Sequence, residues 1–123
     1  MLISSGIAVL IFAAASTQAV EQVDVAYSEM AAGQDVAAIR KIKSNDALDA
    51  QDPAGLINLG IAYARQGNAK AAAEAFTAAI NSDDPQYLET STGEWVDSRQ
   101  LGRKALAMLK SGEFEAATRM ANR

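Results

Sequence analysis

Asp46, Asp49 and Asp52 recur every three residues, and Asp83 and Asp84 stand side by side. Carboxylates would have to carry any acid–base or metal chemistry here, because the chain holds no histidine and no cysteine. The first absence removes the commonest general base and metal ligand. The second removes thiolate zinc sites, cysteine nucleophiles and disulfides. A calcium loop needs closer alternation, a glycine and a distal glutamate. The Asp46–Asp49–Asp52 run lacks these and reads as helix-entry and solvated acid. Asp83-Asp84 precedes Pro85 and reads as a turn. Glu113 and Glu115 suit the first turn of a helix, where acids complement the dipole. Nothing places a serine beside a lysine in a buried site. The expectation is no catalytic residue, no metal and no cofactor. An enzyme using carboxylates is the competing reading, and it requires a buried acid pair in a cleft.

The elements that would position such groups come next. A chain of 123 residues suggests one small domain. Half of it is apolar, much of that alanine, and the aromatics are few. Its core must therefore come from close helix contacts. A formal charge of −4 argues against a nucleic-acid partner.

Residues 1–20 carry no charged side chain, and Ile7 to Ala15 is an unbroken apolar run. Small residues follow, and Thr17-Gln18-Ala19 has a small-x-small pattern. Residues 1–19 thus read as a signal peptide, which makes the protein exported, with the periplasm as the expected compartment. The alternative is an uncleaved segment, residues 1–20, anchoring the chain to a membrane.

Beyond it, residues 21–32 read as a helix broken at Gly33, and Val36 to Ile42 as a second. Asp52-Pro53 is a helix start, an acceptor followed by proline at the first helical position. That helix should run to Gln66, with Gly67 turning the chain into another from Ala69 to Asn81. Ser91-Thr92-Gly93-Glu94 has the spacing of a capping box and should open a long helix to Lys110. Phe114 to about Ala121 would be the last. No stretch sustains a period of two, so no sheet is expected.

Gly33 and Gly67 lie 34 residues apart. At that offset Val25 matches Leu59, Ala26 matches Gly60, Ala38 matches Ala72 and Ile42 matches Phe76. A third copy fits with Gly112 at the turn, pairing Ala105 with Gly60, once residues 86–96 are set aside as an insert. The central copy, with Leu56, Leu59-Gly60, Tyr63, Ala72, Phe76 and Pro85, resembles a tetratricopeptide repeat (TPR) of a small exported bacterial type. The resemblance implies an all-α fold. Three antiparallel helical hairpins, about 21–43, 53–81 and 92–122, would stack as a short right-handed solenoid spanning 20–123. Gly60, which costs about 1 kcal/mol within a helix relative to alanine, should let two helices cross closely against Ala72.

By the same resemblance, the first helices would line a groove. Its positions fall on Val23, Tyr27 and Met30, then Ile57, Ile61, Ala64 and Arg65, then Leu106, Leu109 and Lys110. The isoleucines stand where the family's carboxylate-binding pattern has lysine or asparagine, so an apolar peptide or helix is the better guest. The same residues could instead pack the copies together. Tyr87, Leu88, Trp95 and Val96 in the insert are either interface anchors or, for Trp95, a cap on the core. The expected function is a non-enzymatic adaptor for a protein or peptide of unidentified kind. The alternative is a self-associating structural module, a homo-oligomer joined through apolar array ends.

Overall fold

The computed structural model describes residues 24–115. The signal segment, Val23 and the chain past residue 115 lie outside the described residues.

The protein is mostly helical. Helix α1 covers Tyr27–Ala31, α2 Asp35–Ser44, α3 Pro53–Arg65 and α4 Ala69–Ile80. Two short strands follow, β1 (Tyr87–Glu89) and β2 (Trp95–Asp97), and then α5 (Ser98–Lys110). Residues 113–115 are helical at the edge of the described chain. The turn glycines Gly33, Gly67 and Gly112 share φ values of 72°, 80° and 78°. They thus mark equivalent left-handed turns.

Local chemistry explains the central pair. Asp52 Oδ1 accepts from the Ala54 and Gly55 N–H groups at 2.9 and 3.2 Å, and Pro53 opens α3 without needing a donor. The Gly67 N–H closes on Ala64 O at 3.1 Å and that of Asn68 on Tyr63 O at 2.9 Å. Asn68 then caps α4 by accepting from the Ala71 N–H.

Helices α3 and α4 form the most extensive interface, and α4 also packs broadly on α5. The three atoms nearest to a Cβ placed at Gly60 all belong to the Phe76 ring, the closest at 2.5 Å. The glycine therefore makes room for Phe76 of α4, the helix that also carries the fully buried Ala72. Phe76 stacks in turn on Phe114, with centroids 6.1 Å apart.

A second close approach occurs at Gly102. A Cβ there would lie 2.8 Å from Ile80 Cγ1 and 3.2 Å from the Phe76 carbonyl oxygen. Leu101-Gly102 repeats the Leu59-Gly60 dipeptide. Aligning the third copy on Gly112 hid this, because Gly102 stands three residues earlier than the matched Ala105. Three residues is close to one helical turn, so both positions share a face. Ala105 is buried as well.

Two expectations are corrected. The helix expected over 21–32 is not continuous, since Asp24–Ala26 is not helical and α1 starts at Tyr27. Ala26 has φ 67°, a left-handed conformation unfavourable for alanine. Three hydrogen bonds hold the segment: Ala26 N–H to Asp24 Oδ1, Asn45 Nδ2 to Asp24 O, and Asn58 Nδ2 to Val25 O. The second correction is the insert, which is a β-hairpin. Ser91–Glu94 caps no helix. The Thr90 N–H donates to Glu94 O at 2.8 Å and the Gly93 N–H to Thr90 O at 2.9 Å, with Gly93 at φ 87°. A three-residue loop ending in a left-handed glycine is a favoured hairpin connection. Helix α5 is capped instead by Asp97, whose carboxylate accepts from the Arg99 N–H at 2.8 Å. The third hairpin's first helix thus begins at Ser98, not at 92.

Candidate hairpin-face interaction site

The expected groove residues do not form an open strip. Ile57 and Ile61 have no exposed surface, and Met30 and Ala64 are buried. They pack the first helices against the central pair. Arg65 Nη1 reaches Asp35 Oδ1 at 3.2 Å and Met30 O at 3.4 Å, tying the first helical turns to α3. Leu106 and Leu109 are partly buried against the core. Tyr27 is 40 % exposed, and Lys110 is exposed. Among the described residues the set contributes mainly to the interior, with Tyr27 and Lys110 left at its margins.

The hairpin presents a different surface. Its register pairs Tyr87 with Asp97, Leu88 with Val96 and Glu89 with Trp95. Alternation along a strand sends Leu88 and Val96 to one face and the other four residues to the opposite one. Leu88 is buried and Val96 half-buried on the core. Tyr87 is 66 % exposed and Trp95 51 % exposed, so Trp95 does not cap the core. They occupy diagonal positions across the two strands, close enough for aromatic rings to touch a common ligand. The periodicity test missed the hairpin because each strand has only three residues. The usable signal was β-prone Tyr-Leu-Glu and Trp-Val-Asp around a glycine-ended loop.

Charged groups border the aromatics. Arg99 Nη2 and Nε bond Asp97 Oδ2 and Oδ1 at 3.0 and 3.3 Å. The Arg99 side chain, followed by its backbone N–H, lowers the Asp97 carboxyl below the ordinary carboxylate range. Tyr87 lies within electrostatic reach of Arg99, and Arg103 of Asp97.

A separate shallow hollow of about 280 Å³ has Ile42, Leu48, Leu56 and Leu59 among its lining, with Lys43 and Asp49 also at its wall. Asp49 and Asp52 are occupied with backbone N–H groups. Among the described residues no group of three or more acidic, histidine or cysteine side chains could hold a metal ion. Nor is any helix among them long and apolar enough to cross a membrane. Comparison with protein-family models, curated proteins and solved structures finds no match for this chain.

Proposed function

We propose that the chain is an exported, non-enzymatic TPR-like adaptor that holds an extended segment of a partner protein on the outer face of its β-hairpin. One observation carries the reading. The chain has a single tryptophan and few other aromatics, and the most exposed aromatic side chains among the described residues, Tyr87 and Trp95, share one face. Such rings bury large apolar area with little entropic loss, which is why they anchor interfaces. The adaptor role moves here from the first-helix groove, whose isoleucines are enclosed.

The tetratricopeptide kinship rests on the repeated helix–glycine-turn–helix unit and on Leu59-Gly60, Tyr63, Ala72 and Phe76. Export to the periplasm rests on the composition of residues 1–19, with membrane anchorage through 1–20 as its counterpart.

The test is binding of an array of short extended peptides of varied composition to the full chain and to Tyr87→Ser/Trp95→Ser, with melting curves run on both. A subset bound at micromolar Kd by the parent and lost in the equally stable variant is expected. No binder, or equal binding by both proteins, would overturn the reading. So would a concentration-dependent dimer in light scattering that the same variant abolishes, since the face would then serve self-association.

A further inference from the structure

We infer that the segment received by the hairpin is acidic, lying over Tyr87 and Trp95 with its carboxylates on the basic side of α5. This rests on the adaptor reading above and names the chemistry of its partner. In a protein of net charge −4, all four charged residues of α5 are basic: Arg99, Arg103, Lys104 and Lys110. At about 100° per residue, Arg99, Arg103 and Lys110 fall within roughly 40° of one another around the helix. They form a stripe about 16 Å long at 1.5 Å per residue, beginning beside the aromatic pair. All three are exposed. Arg99 is engaged by Asp97. Arg103, Lys104 and Lys110 make no ion pair or side-chain hydrogen bond among the described residues. Arg103 also feels the Asp97 carboxylate, while Lys104 and Lys110 are exposed and could meet an anionic partner.

The backbone argues for a strand-like peptide rather than a lipid surface. The Ser98 N–H donates to Gln86 O and that of Thr90 to Glu94 O. Bonded pairs alternate in an antiparallel ladder, so Leu88–Val96 is the bonded pair between them. Tyr87, Glu89 and Trp95 accordingly direct their N–H and C=O groups outward along the hairpin edges. None of these groups has a hydrogen-bond partner among the described residues. Such an edge accepts an added strand. An alternating acidic–apolar segment then matches both features. On one hairpin edge, every second side chain lies beside Tyr87 or Trp95, and the carboxylates answer the four basic residues of α5, which outnumber Glu89 and Asp97 on the hairpin's outer face.

The test uses the full chain and three capped heptapeptides, alternating Glu-Val, Thr-Val and Lys-Val, read by Trp95 fluorescence at low and high salt. Glu-Val should bind roughly tenfold more tightly than Thr-Val, the scale of a few exposed ion pairs, and lose that advantage at high salt. Arg103→Glu/Lys110→Glu should transfer the preference to Lys-Val. Equal binding of the three peptides, unaffected by the charge reversal, overturns the acidic preference and leaves the hairpin adaptor standing. No binding of any peptide defeats both. Sedimentation with phosphatidylglycerol vesicles, or binding of oligouridylate, in place of peptide preference also overturns the inference.

Discussion

Gly60→Ala sets two opposed effects against each other. In an isolated helix the change would stabilise by about 1 kcal/mol. Here the added carbon would stand 2.5 Å from Phe76 Cε1 and 2.6 Å from Cδ1. Ordinary contact begins near 3.4 Å, so the ring must retreat by about 0.9 Å, the difference from 2.5 Å. Phe76 has no exposed surface, and Phe114 stacks on it with the ring planes 22° apart. Retreat therefore compresses a second ring. Overpacking of this kind costs typically 1–3 kcal/mol, about enough to exceed the propensity gain. Subtracting the propensity gain leaves a loss of up to about 2 kcal/mol, and because the stacked Phe76–Phe114 pair leaves little room to yield, a value in the upper half, about 1–2 kcal/mol, is expected. For a domain of this size that lowers Tm by roughly 5–15 °C. Urea and thermal melts followed by circular dichroism measure it. Phe76→Leu supplies the discriminating background: with the ring gone, alanine at 60 should be neutral or stabilising relative to Phe76→Leu alone. The close-approach account is refuted if Gly60→Ala is as stable as the parent. An equal loss in both backgrounds refutes it too.

Asn58→Ala removes a fully buried donor from the Val25 carbonyl, and should cost about 1–3 kcal/mol. Amide exchange at residues 24–31 should accelerate more than elsewhere; uniform acceleration would show that Asn58 does not hold that segment. Arg65→Leu leaves the buried Asp35 carboxylate without its cation, a loss of about 3 kcal/mol. Adding Asp35→Asn should restore most of it, and no recovery would argue against the pair as the cause. Acid should destabilise the fold through Asp24. The hydrogen bond from Lys41 holds its carboxyl below the usual range, with its own N–H contact from Ala26 adding to this against partial burial. A depressed folded pKa gives stability that is present above about pH 4, the unfolded value, and lost as pH falls through the folded one. Asp24→Asn should flatten part of the stability slope below pH ~4 in urea melts, and an unchanged slope refutes the assignment.

Much of the helical frame was legible because its signals are local. Asp52-Pro53, Gly67 and Asn68 act on neighbouring backbone groups, and α3 and α4 begin and end within a residue of the positions these residues mark. The 34-residue glycine spacing likewise reports a turn geometry that only a residue tolerant of positive φ adopts readily. The hairpin was less legible. Ser91 to Glu94 satisfies a capping-box spacing and a glycine-ended loop equally well, and the choice depends on whether Leu88 and Val96 find a core to cover.

The candidate site shows the division most clearly. Sequence alone established which residues are apolar, which are charged and which chemistries are missing from this chain. It could not say that Ile57 and Ile61 face inward while Tyr87 and Trp95 face water. Apolar side chains at helical spacing serve a groove or an interior equally well. Burial is decided by what packs over them, here segments about thirty residues away tied down through Asn58 and Arg65. The same holds for Phe76, whose fit against Gly60 and beneath Gly102 exists only once three helices have met. Composition and turn residues act over a few bonds, whereas exposure is a property of the assembled chain.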